Sequence, residues 1–224
     1  MVVSEYVYNP LLVNGLKFDM RIYVGITCYN PLRVYIFENG LARFATSDYS
    51  FDPASKENLL AHLTNYSLNK FSENFVANDE EMECKGHKWS LIALKDYLKK
   101  ANIDVALIWS RIEDLIIKTI ISIENKVFGA IEMSVPYRDN CFEILGFDIL
   151  IDDHLRPWLL EINLSPSLNT DSNLDLTIKG AMLADMFTMM GVVSLDQRFS
   201  FDKTYLLNEN KASTKTLKND YPKL

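Results

Sequence analysis

The sequence predicts an α+β fold, an antiparallel sheet packed with helices rather than a doubly wound parallel sheet. Three observations predict it. Strand-like runs cluster near the start, at 16–27, 33–37 and 41–46. Helix-spaced runs follow at 90–101 and 104–125. A second pair of apolar runs, Gly146 to Asn163, then reads as a hairpin, and one more helix, 175–190, trails it.

In the first run Lys17, Asp19 and Arg21 occupy alternate positions, so a strand projects all three to one face. Runs 33–37 and 41–46 make a hairpin about Glu38-Asn39-Gly40, because Asn-Gly is a strong turn signal. Ser47 to Lys88 is polar and irregular, and holds His-Leu-Thr-Asn-Tyr-Ser-Leu-Asn at 62–69. Leu91, Leu94, Leu98 and Ala101 recur at helical spacing. In the longer helix Val105, Ile108, Ile112, Leu115, Ile116 and Ile123 form the expected buried stripe. Gly191 ends the last helix as a C-terminal cap. The Lys-, Asn- and Thr-rich stretch beyond Lys203 reads as a flexible tail. Met1-Val-Val-Ser-Glu-Tyr-Val opens on strand-like sequence with no polar lead-in, and the expectation is a piece of something longer.

Composition narrows the function classes. With 48% hydrophobic and 24% charged residues, the chain has the make-up of a globular domain with a sizeable core. A net charge of −7 argues against a general binder of nucleic acid or anionic membrane. Cys28, Cys84 and Cys141 are scattered, odd in number and without metal-ligand spacing, which suits a reducing cytosolic setting. No signal peptide is recognisable, and no apolar run is long enough to span a bilayer.

The hairpin poses a problem of parity. On its first strand Asp148 shares a face with Gly146 and Leu150; on its second, Glu161 and Asn163 share one with Leu159, opposite Trp158, Leu160 and Ile162. A loop centred on His154-Leu155 puts Asp148 directly across from Glu161, with Asn163 one step along. Two carboxylates and an amide thus converge with nothing nearby in sequence to neutralise them. One reading is a solvated sheet face. The other is a hard divalent cation held by oxygen ligands, which removes the repulsion between the paired acids.

Lys17, Asp19 and Arg21 carry the same two readings: a wet strand face, or cations and an acid on a rigid element suited to phosphate, ribose hydroxyl or carboxylate. Arg43 sits between apolar neighbours on a returning strand. Thr64 and Asn65 offer neutral hydrogen-bonding groups that serve equally well as loop caps. No P-loop and no Ser-His-Asp arrangement is present.

Taken together, Tyr-Val-Tyr-Asn-Pro-Leu-Leu, Lys-Phe-Asp-Met-Arg-Ile-Tyr-Val, Gly-Leu-Ala-Arg-Phe-Ala-Thr, His-Leu-Thr-Asn-Tyr-Ser and Gly-Phe-Asp…Trp-Leu-Leu-Glu-Ile-Asn-Leu-Ser-Pro-Ser resemble the tubulin tyrosine ligase-like family, in its polyglutamylase branch. The resemblance runs over about residues 2–193 in order. It implies an ATP-grasp-like α+β module of which residues 1–193 are the C-terminal portion and the amino-terminal part is missing, followed by a basic polar tail, 194–224. It also implies roles. Glu5, Tyr6 and Val7 match the hinge that reads the adenine edge. Lys17 and Asp19 match the pair at phosphate and ribose, and Thr64 and Asn65 an ATP-contacting dipeptide. Asp148, Glu161 and Asn163 match magnesium ligands. Arg43, Tyr66, Ser67, Lys88 and Lys179 match positions that hold the incoming glutamate, and Arg21 faces the γ-phosphate or acyl phosphate.

The implied function is ATP- and Mg²⁺-dependent addition of free L-glutamate to γ-carboxylates of glutamates in acidic tubulin tails, in the cytoplasm on microtubules or cilia, with neither nucleic acid nor membrane as partner. Two alternatives stay open: a non-catalytic tubulin-binding module, and a glycine ligase on the same scaffold. An acidic chain that acts on acidic tails needs a cationic track that is local, or that lies outside these residues.

Overall fold

The computed structural model describes residues 3–52, 57–76, 86–135 and 141–191, with the side chain of Ser67 excepted. The elements below belong to the unit Met1–Met190. The expected basic tail lies outside the described residues. No helix among them is long and apolar enough to cross a membrane.

The architecture is α+β, as expected. Strands β1 (Leu12–Val13), β2 (Leu16–Tyr29), β3 (Leu32–Phe44), β4 (Lys88–Ser90), β5 (Glu143–Ile151) and β6 (Pro157–Asn163) form a six-stranded sheet in the order β4-β3-β2-β5-β6, with β1 paired to β2. Every pairing is antiparallel. Between β3 and β4 lie two one-turn helices, α1 (Leu59–His62) and α2 (Tyr66–Asn69). Helices α3 (Leu91–Lys100) and α4 (Val105–Ser134) precede the β5–β6 hairpin, and α5 (Asn173–Met189) follows it.

Alternation along β2 gives the sheet two unlike faces. Phe18, Met20, Ile22, Val24 and Ile26 point to one side and bury against α3 and α4, together with Phe44, Trp89, Phe147 and Ile149. Lys17, Asp19, Arg21 and Tyr23 point to the other. There Tyr23 and Leu41 pack with Ile178 and Met182 of α5 in a smaller apolar cluster, which fixes α5 beside the charged half of that face.

The helices begin where side chains can cap them. Ser90, Asp104 and Ser172 accept from the backbone N–H groups of Ala93, Leu107 and Asp175 and so start α3, α4 and α5. Past the end of α5, Gly191 takes the left-handed conformation, φ +69°, as the glycine cap predicts. Helix α4 runs nine residues beyond the expected Asn125. Its buried residues are Ile108, Ile112, Ile116 and Ile120, while Ile123 is 39% exposed. A seam at every fourth residue drifts about 40° round the helix per step, which carries burial to Ile120 instead of Ile123.

Two local expectations need correction. Glu38-Asn39-Gly40 is no turn: β3 runs straight through it, and β2 and β3 are joined instead at Asn30-Pro31. Ile22 pairs with Gly40 but Val24 pairs with Ile36, so Phe37, Glu38 and Asn39 form a bulge opposite Tyr23. The chemistry that favours a turn also favours a bulge, since Asn39 Oδ1 accepts from the Gly40 N–H at 2.9 Å. The second correction concerns β6. Asp148 pairs with Glu161 but Ile149 pairs with Leu159, which leaves Leu160 unpaired. One extra residue inverts parity beyond it. Trp158 therefore falls on the Asp148 side and Leu159 on the opposite side, the reverse of the unbulged expectation.

Gly40 shows what the bulge demands. A Cβ there would lie 2.4 Å from the Arg21 carbonyl oxygen and 2.7 Å from Leu91 Cδ1. Gly40→Ala should therefore destabilise the fold by about 1–3 kcal/mol, as overpacking does. Gly180→Ala, on open space in α5, should instead gain about 0.5–1 kcal/mol. Chemical denaturation midpoints of the two variants check this; equal shifts would remove the close-approach argument.

Candidate active site

Two rows of charged residues cross the polar face. In one, Arg21 of β2 stands opposite Asp148 of β5, which stands opposite Glu161 of β6. In the other, Asp19 of β2 stands opposite Arg43 of β3, which stands opposite Lys88 of β4. Arg43 ties the rows together. Its Nε and Nη2 donate to Asp19 Oδ1 and Oδ2, each at 2.7 Å, and Nη2 also donates to Asp148 Oδ2 at 2.7 Å. Arg21 grips Asp148 from the neighbouring strand through Nε to Oδ1 and through Nη2 to Oδ2 at 2.9 Å. Gly146 makes room for it, since a Cβ there would lie 3.2 Å from Arg21 Cδ.

Asp148 thus does have counter-ions, contrary to what its sequence neighbourhood predicts, while Glu161 accepts only from the Asn163 amide among the described residues. Asp148 is 3% exposed. Burial pushes its carboxyl pKa up, but hydrogen bonds and charge from Arg21 and Arg43 outweigh that and hold it below the ordinary 3.8. Arg43 is held above the usual guanidinium range: burial opposes this, and its two aspartates prevail.

Thr64, between α1 and α2, buries its hydroxyl on the same network and donates to Asp19 Oδ2 at 2.7 Å. Asn65, its neighbour, is exposed and starts α2 through its carbonyl, which accepts from the Leu68 and Asn69 N–H groups. Lys17 Nζ donates to the His62 carbonyl at 2.9 Å and to the Tyr6 hydroxyl at 3.1 Å, and stands 4.7 Å from the Tyr6 ring centre. Burial lowers the Lys17 pKa, with nearby Asp19 opposing. The contact brings Tyr6 to the site; Glu5 is exposed and Val7 half-buried. Among the described residues no backbone hydrogen bond engages Glu5, Tyr6 or Val7.

A second cluster lies at the β4 edge. Lys88 Nζ and Lys179 Nζ approach the two carboxylate oxygens of Asp175 at 2.5 and 3.3 Å. Lys179 also donates to the Asn169 carbonyl. Tyr66 lays its ring 4.6 Å from Lys88 Nζ. Sequence reasoning found both lysines and the tyrosine but missed Asp175, although Ser172-x-x-Asp175 has helix-start spacing and Asp175–Lys179 is an i,i+4 pair.

Glu161 and Asn163 stand at the open edge of the first row. Glu161 is exposed, and Asn163 Nδ2 donates to its Oε1 at 3.2 Å and to the Gly146 carbonyl at 3.4 Å. With Asp148 they present two carboxylates and an amide, a hard oxygen donor set that fits a divalent cation such as Mg²⁺. Asp148 accepts three bonds from the arginines, and a carboxylate has about four lone-pair sites. One remains.

With this geometry in hand, comparison with known proteins decides the family. The Tubulin-tyrosine ligase family profile matches residues 1–198. The chain belongs to the tubulin-tyrosine ligase family. It is 51% identical over 197 residues to the mouse (Mus musculus) protein named tubulin polyglutamylase TTLL5, covering 88% of this chain and 15% of that one. To human (Homo sapiens) tubulin monoglutamylase TTLL4 it is 47% identical over 193 residues, 86% of this chain and 16% of that protein. To human tubulin polyglutamylase TTLL13 it is 44% identical over 205 residues, 88% and 24%. The chain therefore spans between a seventh and a quarter of the length of these relatives.

The arginine clasp sets an expectation for stability. A carboxyl whose folded pKa is depressed contributes stability that is complete above its unfolded pKa and lost as pH falls through the folded one. Removing one member of a buried ion pair typically costs about 3–5 kcal/mol. Asp148→Asn should cost about that much near pH 7. The wild type should also lose stability more steeply than the variant once pH drops below 3.8. Urea unfolding between pH 7 and pH 2 measures both; parallel pH curves would contradict the clasp.

Proposed function

We propose that this member of the tubulin-tyrosine ligase family forms part of an ATP-dependent carboxylate–amine ligase that adds glutamate to γ-carboxylates of glutamates in tubulin tails. The observation that carries this reading is the juxtaposition, on one sheet face, of an oxygen donor set with two arginines and a two-lysine cluster. The names of the relatives supply the substrate class: each is called a tubulin glutamylase.

A carboxylate does not react with an amine at neutral pH, so the acceptor must first be activated. Its γ-carboxylate attacks the γ-phosphorus of ATP, the bond to the ADP oxygen breaks, and an acyl phosphate forms. The amine of free glutamate then attacks the acyl carbon, loses a proton and expels inorganic phosphate, leaving an isopeptide bond. Asp148, Glu161 and Asn163 would hold Mg²⁺, which when bound neutralises charge on the transferring phosphoryl group. Lys17 and Arg21 stand on β2 facing the same space, where the nucleotide phosphates belong. Thr64 and Asn65, with the backbone of Glu5 to Val7, take the nucleoside end.

Arg43 orients the incoming glutamate. Its Nε and Nη2 are committed to Asp19 and Asp148, but Nη1 bonds to none of the described residues, and Nη1 of Arg21 likewise. Those free donors suit the α-carboxylate, while a guanidinium fixed on its other edge keeps the amine aimed. Lys88 and Lys179, with Tyr66 beside Lys88, take the second carboxylate; Ser67, whose side chain is not among those described, is assigned to the same end by the resemblance alone. Glycine has no such group, so the lysine cluster favours glutamate. Partners on this reading are acidic tubulin tails and free L-glutamate, and the setting is the microtubule cytoskeleton.

Glu161→Gln tests the reading with little risk to the fold, because Glu161 is exposed. Incorporation of labelled glutamate into tubulin, measured with ATP and Mg²⁺, should fall at least about a hundredfold, the order of losing one charge-stabilising group. Far-UV circular dichroism should stay unchanged. Wild-type turnover in the variant would sink the donor-set assignment.

A further inference from the structure

Asp175 is 0% exposed, yet it stays ionised between two lysines from different elements, one on the edge strand β4 and one a helical turn along α5. Its Oδ2 accepts from Lys88 Nζ at 2.5 Å and from the Ser172 hydroxyl at 2.9 Å. Its Oδ1 has no hydrogen bond and only the ionic contact with Lys179 at 3.3 Å. The lysine side chains are 11% and 9% exposed, so both ammonium groups lie almost out of water. Two such groups side by side would repel and, being long and flexible, would not hold one arrangement.

We propose that Asp175 is a positioning residue that holds Lys88 and Lys179 side by side, and so fixes the geometry in which they receive the side-chain carboxylate of the incoming amino acid. The proposal rests on the reading that these lysines face the incoming amino acid. The Tyr66 ring, 4.6 Å from Lys88 Nζ, closes one side and limits water at the charge. Asp175 itself touches no substrate; it acts through the ammonium groups it holds.

Steady-state kinetics with the full chain test this, with KM for glutamate and KM for ATP measured separately on tubulin. Asp175→Asn keeps the shape and removes the charge. KM for glutamate should rise at least about tenfold, the scale of one lost charge-assisted contact, while KM for ATP stays within about twofold. Lys88→Met and Lys179→Met should raise KM for glutamate in the same way. If the lysine variants act and Asp175→Asn does not, the inference about Asp175 fails while the reading of the lysines stands. If the lysine variants leave KM for glutamate unchanged, that reading falls and the inference with it. Should Asp175→Asn not fold, Ser172→Ala is the milder probe, since it removes only the hydroxyl that holds the carboxylate. A rise of about threefold in KM for glutamate alone supports the proposal. No rise assigns Asp175 to stability only and overturns it.

Discussion

A carboxylate buried on a sheet face is affordable only when its lost hydration is replaced, and Asp148 has that replacement from Arg21 and Arg43. The rest of the charged face depends on this arrangement. Because Arg43 bridges Asp148 and Asp19, strands β5, β2 and β3 are joined by side chains as well as by backbone ladders. Because Asp19 also accepts from Thr64, the irregular segment around α1 and α2 is docked onto the same network. Removing one charge would leave its partners buried and unmatched, so the set is retained or lost together.

The polar face also differs in charge from the chain as a whole. Overall charge is −7. Yet Lys17, Arg21, Arg43, Lys88 and Lys179 stand on this face with Asp19, Asp148, Asp175 and, at its exposed edge, Glu161. Among these described residues five cations meet four acids, three of them buried, so the face is not acidic as the whole chain is. Local field, not net charge, is what a bound anion meets.

The opposite face makes that concentration possible. Ile22, Phe147, Ile112 and Ile116 are fully buried in the larger core, which anchors the sheet on α3 and α4 without using the polar side. Helix α5 then needs only a small apolar contact, Tyr23 and Leu41 against Ile178 and Met182, to bring Asp175 and Lys179 to Lys88. Glycines mark the tightest approaches. Gly40 admits Leu91 and the Arg21 carbonyl, and Gly146 admits the Arg21 side chain. Core, glycines and charge rows therefore belong to one packing solution.

How much of this was legible in the chain follows from what periodicity encodes. Alternation put Lys17, Asp19 and Arg21 on one face, and that holds. Asp148 does stand across from Glu161, but only because the bulge at Leu160 shifts a register that next to the loop is one residue away from the symmetric one. Helix spacing and the glycine after Met190 located α3, α4 and α5. Motifs in their order carried the family and the α+β class. Local patterns say which face a residue takes, but not which residue stands beside it on the next strand. Arg21 and Arg43 reach Asp148 across 127 and 105 residues, and Lys88 reaches Asp175 across 87. Only tertiary pairing could supply those counter-ions. The same limit explains the local misses. Asn39-Gly40 favours a turn or a bulge equally well, and the pairing with β2 chose the bulge. The unpaired Leu160, which turns Trp158 and Leu159 to opposite faces from those alternation gave them, is a bulge in the pairing of β6 with β5, and alternation along one strand does not reveal it.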